Sequence, residues 1–339
     1  MSCHAWHAGK DAVFTVRLIA DRPRTVGGGR GLDEFLVIKS AQQAEPNDIF
    51  HWIDHSGEHY PTELEFQRMI RHRVSSRLNV TLSESDSRRL SVFVSGRKAA
   101  DDTEERHAEM REIWRLLQDN EYLLSMVYSD REIFPKLLGS CGQYFAVEYL
   151  HPIMDGEVAK IISKGDSDWP GRIHLAVMVL ELVEEIDSQG LLLCDVKPSH
   201  FGLSGLGRVK FLDLDVAVPK QIADSITSDG RSCNDDTDCY LFDCRSTCNK
   251  AERICDSPVA TTNIQIVCEK VLLGWSMVTR VMLPGLLMTR RTTLGLASLL
   301  RQCAQPDTDP DAAAHSHQRL ANTLLEMDNA MAKDRKNLV

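Results

Sequence analysis

Asp195 and Asp213 are carboxylates placed where chemistry can be done. Asp195 lies in Leu193-Cys194-Asp195-Val196-Lys197-Pro198-Ser199-His200, and Asp213 in Val209-Lys210-Phe211-Leu212-Asp213-Leu214-Asp215. Each segment follows or forms an apolar run that reads as a strand, and only a short loop-rich stretch separates them. Two strand-end carboxylates can serve one phosphoryl group: one receives the acceptor's proton and the other holds a divalent ion. A cation for the α- and β-phosphates completes the set. Lys39 supplies it at the end of Phe35-Leu36-Val37-Ile38-Lys39, and Lys197 would neutralise charge on the γ-phosphate. Taken singly, each residue is ordinary. A strand-end lysine is usually solvated, and an Asp after a strand is usually a turn former. The order and loop lengths of the whole set point to phosphoryl transfer.

Strands and helices must hold these groups. Residues 12–19 read as a strand, 22–31 as a Gly- and Arg-rich turn, and 35–39 as the returning strand of a hairpin. Residues 61–74 have helical periodicity through Leu64, Phe66, Met69 and Ile70, with Pro61 suited to the first turn. Residues 82–108 are charged and irregular. Residues 109–127 read as one amphipathic helix with Ile113, Trp114, Leu117, Tyr122 and Leu123 on its apolar face. A turn into a strand at 135–139, a strand at 144–150, and a long buried helix at 173–186 follow. Then come a strand at 191–194 and a hairpin from 201–203 to 209–214. From Ile264 onward the pattern is helical, with a polar break at 305–313. Strands followed by mostly helices imply an α+β chain, a small β-rich lobe and a larger helical lobe. The expected division is 10–148 and 149–335.

The net charge of −10 argues against a nucleic-acid partner or an anionic membrane surface. The chain carries ten cysteines, unevenly placed. Cys233, Cys239, Cys244, Cys248, Cys255 and Cys268 crowd into one segment, 233–268, whereas Cys3, Cys141, Cys194 and Cys303 are scattered. Zinc sites pair two close-spaced ligand knuckles, and only Cys244 and Cys248 approach that spacing. The six clustered cysteines therefore read as three disulfides of an oxidising compartment, with connectivity open. Residues 1–30 show no apolar signal-peptide core, and the apolar runs are too short to span a bilayer. Disulfides without an export signal imply an N-terminal segment that precedes this sequence. Asn79-Val80-Thr81 is a glycosylation sequon in keeping with that compartment.

The Lys39, Asp195 and Asp213 segments resemble the Val-Ala-Ile-Lys strand, catalytic loop and Asp-Phe-Gly of protein kinases. Residues 145–150, with Glu148, look like the hinge that receives adenine. Longer stretches are more specific: Ile113-Trp114-Arg-Leu-Leu-Gln-Asp-Asn-Glu121-Tyr-Leu-Leu, Pro135-Lys-Leu-Leu-Gly-Ser-Cys141-Gly, Cys233-Asn-Asp-Asp-Thr-Asp-Cys239, and Asp243-Cys244-Arg-Ser-Thr-Cys248. On these the chain resembles the divergent protein kinase domain family. These are cysteine-rich kinase-like proteins of the endoplasmic reticulum and Golgi, and the branch resembled has an EF-hand inserted in the N-lobe. The resemblance implies a bilobal kinase-like fold with an insertion at about 83–113. It implies ATP with Mg²⁺ or Mn²⁺, and phosphoryl transfer to a protein or glycan hydroxyl in the lumen. It also implies a type II signal-anchor in the longer protein as the sole membrane contact. Asp195 and Lys197 would be catalytic. Lys39 and Glu148 would bind nucleotide, with Glu65, or else Glu63, as the acid pairing Lys39. Asp213, His200 and Asp215 would hold the metal.

The chain departs from the family pattern in several places. His200 stands where a metal-binding Asn is expected, and imidazole is a poor partner for Mg²⁺. Asp215 replaces the Gly of Asp-Phe-Gly. No Gly-x-Gly-x-x-Gly precedes Lys39, and the glycines of 27–31 read as a hairpin turn. The twelve-residue EF-hand loop would run from Lys98 to Glu109, with Lys98, Ala100 and Asp102 at the first three ligand positions and Thr103 in place of Gly. It is expected not to hold Ca²⁺. Asp235, Asp236 and Asp238 read as a solvated loop between disulfides. These departures keep a pseudokinase, a binding or scaffold module without catalysis, as the alternative function.

Overall fold

The computed structural model describes residues 12–17, 35–41, 52–54, 57–154, 169–274, 284–305 and 310–337. The turn read at 22–31 and Cys3 lie outside them. Two compact units result, Met1–Leu150 and His151–Val339.

The first unit is built on an antiparallel sheet. Its elements are β1 (Val13–Arg17), β2 (Phe35–Ser40), β3 (Trp52–Asp54), β4 (Gly57–His59), α1 (Glu63–Leu78), α2 (Glu84–Leu90), α3 (Glu104–Leu116), α4 (Asn120–Val127), β5 (Leu137–Cys141) and β6 (Tyr144–Glu148). The four-stranded sheet has the order β1-β2-β6-β5, and β3 pairs with β4 separately. Lys39 therefore sits on a central strand, opposite Val13 on one side and Phe145 on the other.

Thr62 caps α1 in a reciprocal capping box with Glu65. Phe66, Ile70, Val74 and Leu78, each four residues apart, form the buried stripe of α1. Each such side chain contributes roughly 1.5–3 kcal/mol by leaving water.

Two sequence expectations fail in this unit. Residues 82–108 contain α2 and the start of α3, with Ser83 and Thr103 as N-caps. The single helix expected at 109–127 is two helices, α3 and α4. The break has a physical cause. Arg73 of α1 donates from Nε to the Leu117 carbonyl and from Nη2 to the Gln118 carbonyl, both at 3.3 Å. Those are acceptors left open at a helix C-terminus. Asp119 then restarts the chain, accepting the Tyr122 N–H at 3.0 Å.

The second unit contains β7 (His151–Pro152), α5 (Trp169–Ser188), β8 (Leu191–Leu193), β9 (Phe201–Leu203), β10 (Val209–Phe211), β11 (Ala217–Pro219), α6 (Lys220–Thr227), β12 (Cys248–Asn249), β13 (Ile254–Cys255), α7 (Asn263–Val267), α8 (Leu294–Ala304) and α9 (Pro310–Asn337). Its core helix is α5, which buries Ile173, Ala176, Val179, Leu182, Val183 and Ile186 among others. Burial on several sides marks a core helix rather than a surface one. The unit also holds three short antiparallel arrangements, β10-β9-β7, β11-β8 and β12-β13. Among the described residues, no helix is long and apolar enough to cross a membrane.

Four disulfides brace this unit: Cys194–Cys244, Cys233–Cys248, Cys239–Cys255 and Cys268–Cys303. The expectation of three bridges closed within the cluster is thus corrected. Only two lie inside it. Cys244 reaches back to the end of β8, and Cys268 reaches forward to α8. Spacing along the chain does not reveal such pairings, because a bridge depends on the approach of Cα atoms. Cys141 is a free, exposed thiol.

Candidate functional site

In the first unit, Lys39 Nζ forms an ion pair with Glu121 Oε1 of α4. The lysine side chain is 15% exposed and the glutamate 3%. The packing of α4 on the sheet explains why the two meet. Tyr122 packs edge-on against Phe145 at 5.5 Å between ring centroids. Phe145 is the cross-strand neighbour of Lys39, so both point to the same face of the sheet. The Tyr122 hydroxyl also lies 3.3 Å from Ser140 Oγ of β5. The adjacent Glu121 is thereby carried to the lysine.

The expected partner of Lys39 was Glu65, with Glu63 the alternative, and the structure corrects this. Glu65 Oε2 turns back to the Thr62 N–H and hydroxyl, both at 2.8 Å. These bonds hold its carboxyl below the usual carboxylate range. Glu63 faces Arg106 and Lys98 instead. Glu148 closes β6 on β5: its N–H donates to the Lys136 carbonyl at 3.0 Å, and its Oε1 accepts the Lys136 N–H at 2.7 Å.

The loop from Lys98 to Glu109 is organised by internal charge. Arg106 is fully buried and bonds Glu63 through Nε at 2.6 Å and Nη2 at 3.1 Å. Its Nη1 bonds Glu109 Oε2 at 2.7 Å, and its Nη2 also reaches the Ser91 carbonyl at 2.9 Å. Glu109 thus neutralises a guanidinium belonging to the protein.

In the second unit the chain runs off β8 into Asp195 and off β10 into Asp213. Asp195 Oδ2 accepts from Lys197 Nζ at 2.8 Å. That bond, with further help from Asp213 and Asp243, raises the Lys197 pKa against the cost of its burial. Residues on both sides of Asp195 are tied to distant segments. Cys194 is bridged to Cys244. The Asp243 N–H donates to the Cys194 carbonyl at 2.7 Å, and Asp243 Oδ2 accepts the Val196 N–H at 2.8 Å. Lys270 Nζ, 2.5 Å from Asp243 Oδ1, balances that carboxylate. Upstream, Asn263 Oδ1 accepts the Leu193 N–H at 2.8 Å while its amide donates to the Leu191 carbonyl at 2.8 Å.

His200 closes the site. Its Nε2 lies 3.2 Å from Asp213 Oδ2, and its Nδ1 lies 3.1 Å from the Asp195 carbonyl. An imidazole nitrogen and a carboxylate oxygen at this spacing are a donor set that fits a divalent ion. Asp215, expected as a third ligand, does not converge with this pair. It donates its backbone N–H to Asp213 Oδ1 at 3.4 Å. Among the described residues, the group of three close-set potential ligands is Cys233, Cys239 and Cys248, within 4.8 Å of one another. All three are bonded in disulfides and offer no thiolate. Asp235, Asp236 and Asp238 cap local backbone: Asp235 takes the Thr237 N–H, Asp236 the Cys248 N–H, and Asp238 the Asn234 N–H.

Glu121, Asp243, Asn263 and Lys270 are the residues that motif reading did not assign. Glu121 and Asp243 stood inside recognisable stretches, but Asn263 and Lys270 carry no local signal.

An α+β chain with this lysine–glutamate pair and these two strand-end aspartates is a divergent protein-kinase-like domain. It belongs to the family described as "Protein-kinase domain of FAM69", whose model matches residues 113–306. Two solved Toxoplasma kinase structures are similar in part. One is the ROP18 kinase domain in complex with AMP-PNP and sucrose, at 12% identity and a TM-score of 0.26, over 56% of this chain and 46% of that one. The other is a divergent kinase lacking the glycine-rich loop, at 16% identity and a TM-score of 0.24, over 50% of this chain and 55% of that one. The chain spans about half the length of each of these solved chains.

Proposed function

We infer that this protein is an ATP-dependent phosphotransferase that acts on a protein or glycan hydroxyl in the lumen of the secretory pathway. The Lys39–Glu121 pair carries the reading. A lysine–glutamate pair withdrawn from water has a desolvation cost that a packed apolar pair would not. In kinases the same pairing aims the lysine at the α- and β-phosphates. Bound ATP with its divalent ion would supply the transferable phosphoryl group. Lys39 would then hold the phosphates, steadied by Glu121. Asp195 would orient the acceptor hydroxyl and take its proton as the new O–P bond forms and the bond to ADP breaks. Lys197 would offset charge on the moving group, and Asp213 and His200 would hold the ion. Four disulfides support the luminal assignment. So does exposed Asn79, at the left-handed C-cap of α1 in a glycosylation sequon.

Divalent-ion ATP is expected to raise the melting temperature, and Lys39→Ala to abolish the rise. Asp195→Asn is expected to remove phosphate incorporation while the nucleotide shift persists. Absence of any shift would sink the reading. A Lys39-dependent shift without incorporation would favour the pseudokinase, to which His200 in place of Asn already lends weight.

A further inference from the structure

Asn79 closes α1, and a short irregular connection carries the chain to Ser83, the N-cap of α2. Both ends of this connection are fixed without the Asn79 side chain. The Asn79 N–H donates to the Ser75 carbonyl at 3.0 Å, so the cap is made by backbone. Ser83 Oγ accepts the Asp86 N–H at 3.0 Å, and Arg71 of α1 donates from Nη1 to Ser87 Oγ of α2 at 3.0 Å. Between these anchors Asn79 and Thr81 are exposed. Among the described residues, neither the Asn79 amide nor the Thr81 hydroxyl has a hydrogen-bond partner. Asn79-Val80-Thr81 is also the single Asn-x-Ser/Thr triplet in the sequence. An exposed amide with a hydroxyl two residues on, neither used by the fold, is the acceptor pattern for N-linked sugar.

We propose that Asn79 carries an N-linked oligosaccharide. The inference rests on the luminal part of the phosphotransferase reading, which the four disulfides support independently of the triplet. The donor is an oligosaccharide carried on a lipid diphosphate and presented by a luminal transferase. Asn79 Nδ2 bonds to the anomeric carbon of the first sugar as the bond from that carbon to the diphosphate oxygen breaks. The lipid diphosphate leaves, and Nδ2 gives one proton to a base of the transferase. The folded chain accepts the product, because the amide is exposed and the lost proton served no hydrogen bond. The competing account is that Asn79 is present only for its backbone. Its φ of 54° and ψ of 32° are left-handed, the conformation for which Gly and Asn are favoured at a helix end.

Glycine separates the two accounts, because it keeps the left-handed cap and lacks the amide. The full-length protein, isolated from eukaryotic cells, is treated in ¹⁸O water with a glycosidase that releases N-linked sugar. Peptide mass spectrometry is expected to show an enzyme-dependent, ¹⁸O-labelled carboxylate at position 79, and the protein should run faster on a gel after treatment. Asn79→Gly and Thr81→Ala should each abolish the gel shift while the four disulfides still form, and Thr81→Ser should keep it. The wild-type label decides the matter even if a variant does not fold. An unlabelled Asn79 in a chain whose disulfides have formed would overturn the proposal and leave the luminal assignment standing. A chain recovered with its cysteines reduced and Asn79 unmodified would overturn both.

Discussion

Removing the Cys194–Cys244 bridge by the paired substitution Cys194→Ala and Cys244→Ala tests how the Asp195 loop is held. The bridge closes a loop of 50 residues. Confining the unfolded chain in a loop of that length reduces its entropy by about 14 cal/mol/K, or about 4 kcal/mol at 25 °C. The Cys233–Cys248 bridge crosses this loop but shortens the path by only a few residues, changing the figure by about 0.1 kcal/mol. Native geometry should largely survive. The Cys194 carbonyl keeps the Asp243 N–H, and the Val196 N–H keeps the Asp243 carboxylate. The loss is therefore expected in the unfolded state, with a melting temperature lower by about 10 °C. Denaturation in urea without reductant measures both quantities needed. The denaturant slope should increase, because the unlinked chain exposes more surface. A loss below about 1 kcal/mol, or a large loss with an unchanged slope, would refute the argument. The second result would locate the effect in native packing around Asp195.

Glu121→Ala leaves Lys39 largely buried beside a missing partner and should cost about 3 kcal/mol. Adding Lys39→Met should recover part of that in the same denaturation assay. Arg106→Ala leaves the buried Glu109 without its guanidinium, and Glu63 with Lys98 alone, and should cost about 3 kcal/mol, whereas Arg106→Lys should cost less because a cation remains. Asp187 gives a pH signature. Burial raises its carboxyl from 3.8 to about 6, against the lowering effect of its hydrogen bond from Asn263 and with a further raise from Glu184. A carboxylate with a raised folded pKa binds its proton more tightly in the native state. Its contribution is therefore most favourable at low pH and is lost as pH rises from about 4 to about 6. The residue has an exposed side, so the effect should stay below about 1 kcal/mol. Asp187→Asn should flatten that stretch of the stability–pH curve, and a curve unchanged by the substitution would refute the assignment.

The elements legible in sequence were those whose signal is local. Helix α5 stood out as a long apolar run, and β1 and β2 as short apolar segments. The break between α3 and α4 was not legible because no Gly or Pro marks it. Arg73, more than forty residues upstream, terminates α3 from outside. The disulfides behaved similarly. An oxidised cluster could be inferred from composition, but the partners of Cys244 and Cys268 are set by how β8 and α8 pack. The acid that pairs with Lys39 was missed for a different reason. Glu65 has the expected place, on the first helix after the lysine. Yet Thr62-Glu63-Leu64-Glu65 is itself a capping-box pattern, in which the last Glu is committed to the helix end. That local signature was available and argues against Glu65. What points to Glu121 instead is the packing of its neighbour Tyr122 on Phe145, a tertiary contact with no trace in spacing.

The same distinction bears on how Asp195 is placed. β8 has three residues and pairs with an equally short β11, so its ladder alone holds the chain weakly. Fixed position comes instead from residues 47 to 70 positions away: Asp243 on the Val196 N–H, Cys244 on Cys194, and Asn263 on the Leu193 N–H. All three lie within the cysteine-rich segment 233–268, and Asp243 and Cys244 are consecutive. That segment is thus part of the support of the proposed proton acceptor, through one covalent and two hydrogen-bonded ties. The aspartate-bearing loops can be read from motif alone, but what makes Asp195 a defined position is carried by residues whose roles appear only when the chain is folded.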